Sequence, residues 1–179
     1  MVIVRAAQLH EAPVLARLHR SAALLGYGHI FPDDAPPPTH DELIAEWEHW
    51  LTPDRERGWR AYVAQDGARV LGLVRAGPDR AEVEAGHLGR LYVEPEHWGR
   101  GIGGRLYQEA IEQLTGAGFT YATLWVLEGN TRARRWYECL GWQQTGERKP
   151  VYAPASIDDL RYRLALRRTA PGPETGTGR

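Results

Sequence analysis

Four glycines fall within six positions of this chain, in the segment Trp98-Gly99-Arg100-Gly101-Ile102-Gly103-Gly104. The residues before it, from Glu82 to Val93, read as a strand. Those after it read as a helix over Gly103 to Ala117, with Leu106, Tyr107, Ala110, Ile111 and Leu114 on one face and Gly116 and Gly118 as its stop. Glycine takes positive φ at little cost and lets a ligand approach the main chain closely. A helix start adds unpaired N–H groups and the positive end of the peptide dipoles. A turn that only redirects the chain does not need so many glycines, so the spacing points to an anion site for a phosphate or pyrophosphate.

Two common phosphate loops can be weighed against this segment. Gly99, Gly101 and Gly104 satisfy G-x-G-x-x-G, and Glu128 lies beyond the next strand as a dinucleotide site requires. The context disagrees. Glu94 to Trp98, with Pro95 among them, separate the strand from the first glycine, and only one clear strand–helix–strand unit comes after it. A Walker loop is excluded, because no Gly-Lys-Ser/Thr is present.

The rest of the chain frames the loop. Val2 to Ala6 is expected to be a strand. Glu11 to Leu25 has Val14, Leu15, Leu18, Ala22 and Leu25 at helical spacing. A second helix is expected from Thr39 or His40, with Leu43, Ile44, Trp47, Trp50 and Leu51 on one side and Pro53 as its stop. Between the two helices, Pro32 and Pro36 to Pro38 leave only a stiff exposed loop. Ala61 to Ala64 and Val70 to Val74 pair as a hairpin on Asp66-Gly67. Tyr121 to Leu127 is a strand, Thr131 to Leu140 a short helix ended by Gly141, and Trp142 to Glu147 and Leu160 to Leu166 are two final strands. This order predicts an α/β fold of the α+β kind, a central mixed sheet flanked by helices. One domain is expected over residues 1–168, with a disordered tail of Pro, Gly and Thr over 169–179.

Composition removes several classes. The 22 basic and 23 acidic side chains leave no basic excess, which argues against nucleic acid as a partner. Cys139 is the only cysteine, which excludes a disulfide scaffold. No apolar run reaches about 18 residues, so no membrane helix is expected. Met1-Val2-Ile3-Val4-Arg5 lacks the pattern of a secretion signal, and the expected compartment is the cytoplasm. The seven histidines show no H-x-x-x-H or similar spacing, so no metal is expected. Lysine occurs once, at Lys149, and this preference for arginine points to GC-rich bacterial coding.

Leu91-Tyr92-Val93-x-Pro95, followed by Gly99-Arg100-Gly101-Ile102-Gly103-Gly104-x-Leu106, resembles the acyl-CoA motif of the GNAT superfamily of N-acetyltransferases. The family pattern Gln/Arg-x-x-Gly-x-Gly/Ala is met with Trp98 in first position and Gly101 and Gly103 in register. Asn130-x-x-Ala133-x-x-Trp136-Tyr137-x-x-x-Gly141-Trp142 resembles the family's later motif, with Trp for each Phe. The likeness spans about residues 1–167 and is sharp from Leu88 to Trp142. It implies a GNAT-like fold, acetyl-CoA as co-substrate, and direct transfer of the acetyl group to a primary amine of a small molecule or peptide. It also implies contacts to CoA from Leu91, Tyr92 and Val93, where the strand splays from Leu124-Trp125-Val126. Gly99, Arg100, Gly101, Ile102, Gly103 and Gly104 would hold the pyrophosphate. Asn130 would bond to the pantetheine arm, and Tyr137 would act as general acid toward the leaving thiolate. A phenol titrating near pH ~10 suits that exchange. Plainer roles exist for the same residues: Asn130 as a helix N-cap, Tyr137 as a core aromatic, Cys139 as a small buried side chain. Family members are often dimers, so a homodimer stays open.

The amine must lose a proton, and Glu82, Glu84, His87 and Glu94 are the candidates nearby. His87, near where relatives often carry an acid, has a reference pKa of ~6.5 that suits a base. Alternation puts Glu84 and His87 on opposite faces unless a bulge intervenes. A bulge near Leu91 to Val93 would turn an N–H toward the thioester carbonyl. The acceptor is expected under Tyr27 to Trp59, where Asp33, Asp34, Asp41, Glu42, Glu46, Glu48, Asp54 and Glu56 would draw a cationic amine, such as a polyamine, an aminoglycoside or a protein N-terminus. The plainer reading of those acids is a solvated helix face. Arg100, Arg105, Arg132, Arg134 and Arg135 cluster around the two motifs and offer partners for the CoA phosphates. The alternative function is a non-catalytic acyl-CoA sensor or interaction module on the same fold.

Overall fold

The computed structural model describes residues 1–52 and 57–166. The expected tail over 169–179 and the helix stop at Pro53 lie outside the described residues, as do Asp54 and Glu56. The strands are β1 (Ile3–Ala6), β2 (Arg60–Asp66), β3 (Arg69–Pro78), β4 (Ala85–Val93), β5 (Tyr121–Leu127), β6 (Gln143–Tyr152) and β7 (Ile157–Ala165). The helices are α1 (Ala12–Tyr27), α2 (His40–Leu51), α3 (Ile102–Gly116) and α4 (Thr131–Cys139). Among the described residues the strands form one mixed sheet in the order β1-β2-β3-β4-β5-β7-β6. Only β4 and β5 run parallel, with α3 as their crossover.

Local chemistry accounts for the boundaries. The Thr39 hydroxyl accepts from the Glu42 N–H (3.2 Å), and the Glu42 carboxylate accepts from the Thr39 N–H (2.8 Å), a capping box that starts α2. Asn130 starts α4, its Oδ1 accepting from the Ala133 N–H at 3.1 Å. β4 begins at Ala85, three residues later than the expected Glu82, because the Ala85 N–H closes a turn onto the Glu82 carbonyl. β6 runs five residues beyond the expected Glu147, through Pro150. It is the edge of the sheet, where a missing N–H is tolerated.

Each face of the sheet has its own apolar core. Helices α1 and α2 pack Leu15, Leu18, Leu43 and Trp47 on Val63 and Leu73. On the other face α3 packs Leu106, Ala110 and Leu114 on Val74, Leu88, Ala122 and Leu124, with Trp142 and Tyr162 beside them. The approach of α3 is close. A Cβ at Gly86 would stand 2.7 Å from Leu114, so that strand position has no room for a side chain.

Strand β4 is irregular in two ways. First, its pairing with β5 lasts for Ala85↔Tyr121, Gly86↔Ala122 and His87↔Thr123 only, after which the strands part. Second, the register with β3 slips between Arg75↔Arg90 and Ala76↔Leu88, leaving Gly89 as a bulge. The bulge resets the alternation. Leu88, Leu91 and Val93 face α3, while Tyr92 joins the opposite core. The extra residue thus puts Arg90 and Tyr92 on the face of His87.

His19 is buried and His87 half-buried, both as neutral imidazoles. Burial brings His87 down to about 4, and burial together with the Arg90 charge brings His19 down to about 3. In the unfolded chain each takes up a proton near pH ~6.5, so stability falls as pH drops from there toward 4. Denaturant unfolding should show a loss on the order of 2 kcal/mol per imidazole between about pH 7 and about pH 4.5. Substitution His19→Gln should flatten part of that slope. A free energy of unfolding that stays level across the interval would contradict it.

Candidate active site

The divergence of β4 from β5 opens a cavity of about 700 Å³. It is walled by Gly89 to Tyr92 on β4, by Trp125 to Leu127 on β5, by Asn130, Ala133 and Tyr137 at α4, and by the α1–α2 side from His19 to Glu46. Of the residues singled out from the sequence, Leu91, Tyr92, Asn130 and Tyr137 meet there. The Tyr137 ring is held by Trp136 (5.0 Å between centroids) and Trp142 (5.9 Å). Burial pushes its phenol well above the usual range, helped by the neighbouring Tyr92 and Tyr107. It is therefore fully protonated at neutral pH. Asn130 uses its carbonyl oxygen for the helix cap, which leaves its amide N–H groups for the cavity.

The glycine loop lies at the end of β4. Gly99 and Gly101 both have positive φ, at 76° and 77°, and Gly101 is the N-cap of α3. The first helical bond runs from the Arg105 N–H to the Gly101 carbonyl, so the N–H groups of Ile102, Gly103 and Gly104 have no acceptor within the helix. A Cβ at Gly103 would meet Val93 at 3.8 Å, and one at Gly104 would meet nothing within 4 Å. Neither glycine carries a side chain that would screen these N–H groups, which suits a pyrophosphate.

Trp98, the position that departs from the family pattern, joins the two motifs. Its indole N–H donates to the Val93 carbonyl at 2.8 Å. The Arg132 guanidinium, from α4, stacks on the same ring at 3.9 Å. The other arginines sort by contact. Arg105 donates to the Val2 carbonyl and Arg134 to the Tyr162 hydroxyl and the Glu128 carbonyl, which are internal bonds. Arg100 lines a separate cavity with Asp66 and His97.

Neither proposed base reaches the cavity wall. Glu84 is exposed in the turn before β4. His87 lies under Trp59 in a polar cluster outside the cavity. Its Nδ1 stands 2.8 Å from the Thr123 hydroxyl, which donates to Asp79 at 2.5 Å. Asp79 also accepts from Arg161 at 2.9 Å. The bulge expected near Leu91 to Val93 is at Gly89 instead, where Trp59 covers the strand. Cys139, expected to be buried, is exposed. Glu94, Glu96 and His97 gather within 4.8 Å of one another, a grouping the histidine spacing did not reveal, but Arg69 already pairs with both carboxylates (2.6 and 3.1 Å).

Sequence reasoning missed several wall residues. Arg90, Asp159 and His19 line the cavity beside Trp125 and Tyr27, which the sequence places at the splay and on the acceptor side, and Tyr27 and Tyr92 join hydroxyls at 2.9 Å. Glu46 lines it too, although the plainer reading of its acidic stretch is a solvated face. Its sequence does carry a signal, since it lies three and four residues from Leu43 and Trp50 on the inward face of α2.

The comparisons agree with this architecture. The model of the GNAT acetyltransferase family matches residues 24–142. A probable N-acetyltransferase of Mycobacterium tuberculosis is 31% identical over 118 residues, 64% of this chain, and the match spans 65% of that relative's length. The PaiA N-acetyltransferase of Thermoplasma acidophilum, solved with coenzyme A, superposes with a TM-score of 0.73 at 17% identity, covering 92% of this chain and 99% of that one. The spermidine N-acetyltransferase of Vibrio cholerae, solved with CoA and spermine, gives 0.70 at 19% identity, covering 93% and 96%. The chain belongs to the GNAT acetyltransferase family. No helix among the described residues is long and apolar enough to cross a membrane.

The Trp98 bridge gives a direct prediction. Trp98→Phe removes the bond to Val93 and Arg132→Ala removes the stacked cation. Each should raise the KM for acetyl-CoA by about tenfold, the scale of one lost charge-assisted or buried hydrogen bond, with kcat little changed. Steady-state kinetics showing an unaltered KM in both variants would remove the bridge from the site.

Proposed function

We propose that this protein is an acetyl-CoA-dependent N-acetyltransferase that moves the acetyl group directly onto a primary amine. The observation that carries the reading is the cavity between β4 and β5, with Tyr137 on its wall. The free N–H groups at the start of α3 suit the pyrophosphate, and the unpaired main chain of β4 beyond His87 suits the pantetheine arm. Relatives solved with coenzyme A support the same assignment.

Bound acetyl-CoA supplies the activated thioester. The chain's own groups do the rest. The amine nitrogen, entering from the α1–α2 side, forms a bond to the acyl carbon as the carbon–sulfur bond breaks. Tyr137, kept protonated by burial, donates its proton to the departing sulfur. Its hydroxyl makes no hydrogen bond to the described protein, so it is free for that task. The amine's proton leaves through the polar side of the cavity, where Glu46 is half-buried and its carboxyl raised by burial. No covalent enzyme intermediate is needed.

The substitution Tyr137→Phe should lower kcat by about a hundredfold while acetyl-CoA still binds in calorimetry, the scale of a lost general acid. Thiol release on a broad amine panel reads the reaction. Unchanged turnover would remove Tyr137 from the chemistry. Binding of acetyl-CoA without thiol release on any amine would favour the non-catalytic sensor.

A further inference from the structure

The acceptor side of the cavity holds a cation with no counter-ion in contact. Arg90 lines the cavity and its guanidinium lies over the Trp50 ring at 5.4 Å. Its one hydrogen bond runs from Nη1 to the adjacent Gly89 carbonyl, at 3.1 Å. Its Nε is buried without a partner. Two other arginines that reach beneath the surface meet carboxylates. Arg5 meets Glu11 at 2.7 Å, and Arg161 meets Asp79, Glu82 and Glu147. Among the described residues no carboxylate touches Arg90, although its charge acts at longer range on Glu46 and Asp159 of the same cavity. A buried guanidinium N–H without an acceptor is costly, and an anion entering the cavity would meet it.

The bulge at Gly89 turns Arg90 to this side, so the placement is set by the backbone and is not a chance rotamer. Glu46 lines the same cavity and makes no hydrogen bond within the described protein. Asp159 lines it as well but is held by Lys149 at 3.5 Å. A cation and a carboxylate that act on each other without touching thus share a chamber that also carries Trp125. Their charges suit a molecule bearing both an ammonium and a carboxylate.

We infer that the acceptor is a small amine carrying a carboxylate, of the amino-acid class, with Arg90 holding the carboxylate in a forked pair and Glu46 receiving the ammonium end. This rests on the N-acetyltransferase reading above and narrows it. Arg suits the task because its planar donors match a carboxylate in pairs, which a lysine ammonium cannot do. A polyamine leaves Arg90 facing a second cation.

The test compares acceptors that differ only in the carboxylate. Each of a set of amino acids is assayed by thiol release against its decarboxylated amine and its methyl ester, with spermidine and an aminoglycoside alongside. The acids should be preferred by at least about tenfold in kcat/KM, the scale of a desolvated charge pair. Substitution Arg90→Gln should collapse that preference toward one through KM, and Arg90→Lys should keep part of it. If Arg90→Gln does not fold, the acid-against-amine ratio of the unmodified protein decides. Equal use of acids and decarboxylated amines, or use of polyamines alone, overturns the inference and leaves the acetyltransferase reading standing. Acetyl-CoA binding with no acceptor in the panel consumed overturns both.

Discussion

The parting of two parallel strands after three residue pairs is the constraint on which the site depends. A continuous β4–β5 ladder would satisfy its main chain internally and leave no cavity. Because pairing stops at His87↔Thr123, the ends of both strands expose polar main chain to a shared space. Residues of α4 close one side of that space, and the glycine loop follows β4 in the chain. The bulge at Gly89 then decides which side chains look which way. It sends Leu91 and Val93 toward α3 and Arg90 and Tyr92 toward α1 and α2. One backbone irregularity therefore gives the two faces of the strand at the proposed site different side chains.

The closed end of the fork is held by charge. Thr123, in the last pair, donates to Asp79, and Asp79 accepts from Arg161, which also reaches Glu82 and Glu147. This cluster links the β3–β4 turn to β5, β7 and β6. The Arg161–Asp79 pair is buried, so removing either partner would leave an uncompensated charge there. Fixing the vertex also fixes where the strands begin to part. His87 belongs to this cluster as a neutral imidazole. There it braces the last β4–β5 pair through Thr123.

Much of the fold was legible because its signals are local. The helical faces of α1, α2 and α3, the Asp66-Gly67 hairpin and the cap at Asn130 all appear where spacing and turn chemistry put them. The mixed sheet with flanking helices followed from their order. The extent of β6 was not legible, since Pro150 is a strand breaker except at an edge, and edges are a property of the whole sheet. The start of β4 was missed for a turn closed by main-chain bonds. The coenzyme motifs were legible as motifs. The α1–α2 side of the cavity was legible as a region, including Glu46 among its acids, but Arg90 was not, because it faces the cavity only through a bulge, and Glu46 differs from its solvated neighbours only by its helical angle to Leu43 and Trp50.

The most direct measurement is hydrogen–deuterium exchange of the full chain with and without acetyl-CoA, with NAD as the dinucleotide control. The account predicts slowed exchange together at residues 88–93 and 99–104, the fork strand and the glycine loop, with acetyl-CoA and no change with NAD. Protection by acetyl-CoA confined to other segments, or protection of the glycine loop by NAD alone, would contradict it.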